Sequence, residues 1–130
     1  MVIADTNVWI HYIRHESGEI GQELDDLLED RKVALVGVVL AEILQGATGE
    51  QDHQRLAHAL EMIDYIEDSR DAWANAGRLV RTMRERGEQM PLTDLLIASI
   101  TIAGDHELFT LDRAFSKIPG LRLYKEAPDA

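Results

Sequence analysis

Between Val33 and Leu44 the chain has twelve residues and a single charge, Glu42. The first part, Lys32-Val33-Ala34-Leu35-Val36, shows none of the polar alternation of a strand with one wet face. A short continuous apolar run of this kind reads as a strand covered on both sides, the usual condition in a parallel sheet. Parallel neighbours need crossover connections, usually helices, and the flanking sequence supplies them. Gly37 closes the strand, and Val38 to Ala47 reads as a helix that stops near Gly46 and Gly49.

The same unit recurs along the chain. Val2-Ile3-Ala4 is a short apolar strand ending at Asp5-Thr6-Asn7, good chemistry for a helix start, and Val8-Trp9-Ile10, Tyr12 and Ile13 follow at helical spacing. Residues 19–30 place Ile20, Leu24, Leu27 and Leu28 on one face of an acidic amphipathic helix. Residues 50–64 form another helix, with Tyr65-Ile66 a short edge strand. In 71–86, Trp73, Ala76, Val80 and Met83 are expected to face inward, and Gly87 ends the helix. Pro91 breaks the chain, Thr93 is expected to cap the apolar helix 94–103, and Gly104 closes it. Leu108-Phe109-Thr110-Leu111 and Leu121-Arg122-Leu123-Tyr124 read as strands around a helical turn at 113–117. The expectation is an α/β fold, a short parallel sheet of about five strands sandwiched between helices, in one domain spanning residues 1–130.

Composition narrows the function. The 130 residues include 24 acids and 13 bases, a net charge of −11, which argues against passive nucleic-acid binding through a basic surface. The imbalance is uneven: residues 1–65 carry a net −9, whereas residues 70–90 carry five arginines against three acids. That arginine-rich stretch reads either as a solvated helix face or as a local surface able to touch phosphate. The absence of cysteine excludes disulfides, thiolate zinc and thiol catalysis. No basic, apolar leader opens the sequence, and its longest charge-free apolar run has nine residues, Leu95 to Ala103. A cytoplasmic protein without a membrane span is expected.

Four acids stand where acids are costly. Glu42 is alone in its apolar run, and Asp94 opens Leu95-Leu96-Ile97-Ala98-Ser99-Ile100, a helix apolar nearly all round. Asp5 ends the first strand and Asp112 follows the strand 108–111. In a parallel sheet both strand ends lie on the carboxyl edge, and the crossover helices start there too. All four therefore converge on the rim where open α/β sheets place their sites. Each has an ordinary alternative as a cap, a first-turn acid or a solvent-facing helix residue. Clustered without neutralising bases, they suit a hard divalent cation, Mg²⁺ with Mn²⁺ as a substitute. Thr6, Asn7 and Thr110 are candidate supporting residues that orient the ligands, or plain turn and cap hydroxyls. His11 and His15 have a metal-capable spacing, but no third ligand accompanies them, so a surface pair is expected.

Ile3-Ala4-Asp5-Thr6-Asn7, Val36-Gly37-Val38-Val39-Leu40-Ala41-Glu42-Ile43, Leu92-Thr93-Asp94-Leu95-Leu96-Ile97-Ala98 and Leu108-Phe109-Thr110-Leu111-Asp112-Arg113-Ala114-Phe115 resemble, in order, the successive motifs of PIN domains. Ala41-Glu42-Ile43-Leu44-Gln45-Gly46 and Ile118-Pro119-Gly120-Leu121 make the chain most similar to the VapC toxins of toxin–antitoxin pairs. The resemblance implies a Mg²⁺-dependent endoribonuclease with Asp5, Glu42, Asp94 and Asp112 as metal ligands. It also implies a homodimer, a structured tRNA or ribosomal RNA substrate, and silencing by a VapB antitoxin whose basic tail fills the acidic groove. Many members carry a second acid just before the phenylalanine of the last motif, where this chain has Ala114, so Asp112 is the one candidate for the fourth acid. Two other readings stay open: a receiver-like signalling module, and a catalytically silent binding domain. The first needs an Asp ending the central strand and a Lys ending a later one, and Leu35-Val36-Gly37 lacks the Asp.

Overall fold

The computed structural model describes residues 1–14 and 18–125. Strands β1 (Val2–Ala4), β2 (Val33–Val36), β3 (Asp64–Ile66) and β4 (Glu107–Phe109) form one parallel sheet in the order β3-β2-β1-β4. β1 is central, with Val2 opposite both Val33 and Glu107, and Ile3 opposite Ala34 and Leu108. The helices are α1 (Thr6–Arg14), α2 (Glu19–Glu29), α3 (Gly37–Leu44), α4 (Glu50–Leu60), α5 (Arg70–Glu85) and α6 (Leu92–Ala103), followed by a 3₁₀ turn at Arg113–Lys117.

The two-sided cover expected for the sheet is present. Every residue of β1 and β2 is buried, as is the whole stretch Leu95–Thr101 of α6. Ile3, Ala34, Val36, Leu95, Leu96, Ile97 and Leu108 have no exposed surface and form the centre of the core. Chain connectivity then fixes the site. β1 leads to β2 on one side, while its other neighbour is the distant β4, so the crossovers diverge at the carboxyl end of β1. That divergence opens a crevice between the ends of β1 and β4. The Asp5 N–H donates to the Phe109 carbonyl (2.8 Å), holding the two strand ends together.

Three expectations are corrected. The sheet has four strands, because 121–124 meets β4 only at a single parallel bridge, Leu108 with Leu123. The backbone of Arg122 and Tyr124 brackets Leu108 with two hydrogen bonds of 2.9 and 2.8 Å, and the pairing extends no further. Trp73 is 49% exposed: α5 turns Ala72, Ala76 and Met83 inward, one residue out of phase with the tryptophan. Thr93 lies inside the first turn of α6, since Pro91 takes the cap position and its carbonyl accepts from the N–H groups of Asp94 and Leu95. Expected strand Tyr65-Ile66 is indeed an edge strand, β3.

Burial separates two substitutions of large side chains. Leu95→Ala is expected to cost about 2–5 kcal/mol, because a fully enclosed side chain leaves a cavity. Trp73→Ala is expected to cost under about 1 kcal/mol. Urea unfolding of both variants checks this, and equal losses would place Trp73 in the core.

Candidate active site

The folding of each segment delivers one carboxylate to the crevice. Asp5 is the first residue past β1 and is 6% exposed. Glu42 lies in α3, which starts directly from the end of β2, and Asp94 lies in the first turn of α6. Asp112 follows β4 and caps the 3₁₀ turn, accepting from the Ala114 N–H at 2.9 Å. The four border one open cleft of about 470 Å³, together with Thr6, Asn7, Ile10, His11 and Arg14. The rim expected from the sequence is therefore assembled, and Asp112 combines its capping bond with a place on that rim.

Three polar residues hold the acids in place. Asp5 Oδ1 accepts from the Thr6 N–H (2.8 Å), and Asp5 Oδ2 accepts from the Thr110 hydroxyl (2.9 Å). Thr110 Oγ1 in turn accepts from Asn7 Nδ2 (3.4 Å) and from the Asp112 N–H (3.1 Å). Asn7 Oδ1 accepts from the Leu111 N–H (3.2 Å), tying α1 to the segment after β4. The Thr6 hydroxyl donates to Glu42 Oε1 (2.9 Å), across 36 residues of sequence. Thr110 is itself buried, so its hydroxyl belongs to the interior of the site.

Electrostatics sets Asp94 apart. Burial pushes the Asp5 carboxyl up, opposed by the bonds from Thr110 and Thr6, with Glu42 and Asp112 adding to the rise. Asp94 is pushed up to about 6 by desolvation and then by the charges of Asp5, Asp112 and Glu42, and no hydrogen bond offsets the shift. Negative charge thus accumulates faster than the protein's own donors relieve it. The remedy this donor set suits is a divalent cation, because oxygen-only ligands match hard ions. Among the described residues no three acids or histidines already form a group with metal-binding geometry. Thr6 bridges Asp5 and Glu42, and Thr110 bridges Asp5 and the Asp112 backbone, so the acids are fixed around an open cleft.

The sequence reading missed three residues of the cleft: Ile10, His11 and Arg14. With Asn7 they recur at spacings of three, one and three, which is one face of a helix. Read outward from Asn7, that spacing was the available signal. His15 lies outside the described residues.

With this geometry established, comparison with known proteins is decisive: residues 2–121 match the PIN domain. The chain belongs to the PIN-domain family. It is 29% identical over 124 residues to ribonuclease VapC2 of Rickettsia felis, covering 92% of each chain. It is 30% identical over 127 residues to ribonuclease VapC5 of Mycobacterium tuberculosis, covering 91% of this chain and 87% of that one. Among solved structures, VapBC2 from Rickettsia felis bound to a DNA fragment from the promoter superposes with a TM-score of 0.81 at 26% identity, covering 95% of this chain and 97% of that chain.

The raised acids give a signed pH dependence for metal-free protein. An acid whose folded pKa exceeds its unfolded value stabilises the fold at low pH, and that contribution is lost as pH rises toward the folded pKa. For Asp94 the window runs from its ordinary value of 3.8 up to about 6. In chelator, Asp94→Asn is therefore expected to melt a few degrees above the wild type at pH 7.5, with the difference closing near pH 4. Identical melting temperatures at both pH values would show that the charge carries no such penalty.

Proposed function

We propose that this chain is a Mg²⁺-dependent endoribonuclease acting as the toxin of a toxin–antitoxin pair, with Asp5, Glu42, Asp94 and Asp112 as its metal ligands. The observation that carries the reading is the convergence of four carboxylates on one cleft, two of them raised by burial and then by their acidic neighbours. The names of the relatives, ribonucleases of the VapC kind over nine-tenths of this chain, support the activity. When bound, the divalent ion supplies an acidified water for in-line attack on a phosphodiester and neutralises charge on the phosphate; Mn²⁺ is expected to substitute.

The chain's own residues do the positioning. Thr110 and the Thr6 N–H hold both oxygens of Asp5, so this carboxylate is fixed before any ligand arrives. The Thr6 hydroxyl sets Glu42, and the Asp112 N–H bond to Thr110 sets the last acid relative to the first. Asn7 keeps Thr110 oriented by bonding to it and to the backbone at Leu111. A carboxylate left uncommitted to the ion would accept the water's proton.

An acidic cleft also defines an inhibitor. A VapB-type antitoxin with a basic tail would neutralise the four acids as the ion does, and the solved VapBC complexes of similar fold support that partner. A homodimer, a structured tRNA or ribosomal RNA substrate, a cytoplasmic location and a single domain over 1–130 complete the proposal. No helix among the described residues is long and apolar enough to cross a membrane.

Total RNA incubated with purified, antitoxin-free protein tests the activity. Discrete fragments are expected with Mg²⁺ or Mn²⁺ and none with chelator. Asp5→Asn and Asp94→Asn should each cut the rate by at least about a hundredfold, the upper end of what loss of even an outer-shell partner costs. Intact RNA from folded, metal-bound protein would leave the binding-only reading. Thermal melting gives a second measurement: Mn²⁺ should raise the melting temperature more at pH 7.5 than at pH 5, where protons compete for Asp94. Equal gains at both pH values would put the ion elsewhere.

A further inference from the structure

The cleft sets four acids against Arg14 and His11, and the chain carries a net charge of −11, so neither favours a polyanionic RNA strand. Cations beyond the cleft therefore have to add to what Arg14 supplies. Five of the thirteen bases are committed to acids: Arg31 to Asp64, Arg55 to Asp52, Lys117 to Glu88, Arg122 to Asp105 and Lys125 to Glu23. Three arginines of α5 stand close together on one helix. Arg78, Arg81 and Arg84 are exposed, and none has an acidic partner among the described residues, although Glu85 lies on the same helix. Arg78 bonds only to the neutral Asn75 (2.8 Å). In a chain with almost two acids per base, three unpaired arginines within two turns of one helix are a distinct surface.

An aromatic ring shares it. Trp73, Gly77, Arg81 and Arg84 recur at spacings of four, four and three, a single stripe along the helix, and all four are exposed. From Trp73 to Arg84 the stripe runs about 16 Å at 1.5 Å per residue. Exposed cations beside an exposed ring make the combination by which proteins hold single strands, with phosphates on the charges and a base on the ring. The stripe also leads to the site. α5 packs along α6, and the short connection 86–91 brings the start of α6, with Asp94, beside the end of α5. The Lys117–Glu88 ion pair ties that connection to the turn capped by Asp112.

Building on the ribonuclease reading, we propose that this face of α5 is the docking track for the substrate strand. Arg84, Arg81 and Arg78 hold successive phosphates as the strand leaves the carboxylate rim, and a base further along stacks on Trp73. The occupant is single-stranded RNA, chosen by charge complementarity and by continuity with the cleft.

The test is binding of a fluorescein-labelled single-stranded oligoribonucleotide of mixed sequence, followed by anisotropy in chelator at several salt concentrations. Wild type should bind with a clear salt dependence. The Arg78→Gln, Arg81→Gln, Arg84→Gln triple variant should bind at least about tenfold more weakly, and its log–log salt slope should be shallower by about 2, at about 0.7 per phosphate contact. Replacing the same three with Lys should restore the slope, and Arg55→Gln with Lys125→Gln, removed from the paired bases, should leave it unchanged. Trp73→Ala should weaken binding about tenfold without altering the slope. Because Trp9 is 2% exposed and Trp73 is 49% exposed, quenching of the exposed indole by RNA reads the same contact directly. An unchanged slope and affinity in the triple variant would overturn the track, as would a Trp73 signal that responds to protein concentration and ignores RNA. The two readings fail separately. Metal-dependent cleavage with a KM untouched by the triple variant removes the track alone, whereas slope-sensitive binding without cleavage removes the nuclease and keeps the track.

Discussion

Burial of Asp5 at the end of the central strand is the constraint around which the rest of the molecule is arranged. A carboxylate with 6% exposure would be costly in apolar surroundings, and two donors compensate it while a third bond anchors its backbone. The Thr6 N–H comes from the start of α1, the Thr110 hydroxyl from beyond β4, and the Phe109 carbonyl meets its own N–H. Strand β4 can deliver Thr110 only because it pairs beside β1, with Ala4 opposite Phe109. Sheet order and site chemistry are thus the same fact seen at two scales. The local bonds satisfy Asp5 partly, and burial, with smaller additions from Glu42 and Asp112, keeps its carboxyl raised.

That residual charge links the fold to the function proposed for it. A site able to bind a divalent ion must carry unrelieved negative charge in the ion's absence, and its ligands must still be held near their working positions. The Thr6, Asn7 and Thr110 network does the holding, and Asp94, raised to about 6 by burial and then by the charges of Asp5, Asp112 and Glu42, stays the least compensated of the acids. The arrangement also explains why catalysis needs few other groups at the centre. Positioning and charge neutralisation are the work of the acids and their ion, and substrate affinity is left to surfaces further out, such as the arginine cluster proposed on α5.

Much of this was legible in the sequence because acids in apolar company are anomalous. Glu42 alone in a twelve-residue run and Asp94 at the head of an apolar helix announce themselves, and the parallel-sheet pattern says which edge they share. What was not legible depended on rotation and register. Trp73 was placed inward because a large ring dominates a hydrophobic pattern, whereas α5 buries the alanines 72 and 76, which carry little signal of their own. His11 and Arg14 reach the cleft through the orientation of α1, which follows from how Val8 and Trp9 pack and is invisible to a search for acids. The segment 121–124 reads as a strand by composition, yet whether it forms a ladder depends on where Pro119 and Gly120 release the chain.

The central claim, that these four carboxylates form one divalent-ion site, is tested most directly by a crystal structure of the protein grown or soaked with Mn²⁺, read by its anomalous scattering. The account predicts a peak within the cleft, ligated by Asp5 with Asp94 and at least one of Glu42 and Asp112, at oxygen distances of roughly 2.0–2.3 Å. A cleft empty of anomalous signal at saturating Mn²⁺, or a peak held by other residues, would contradict it.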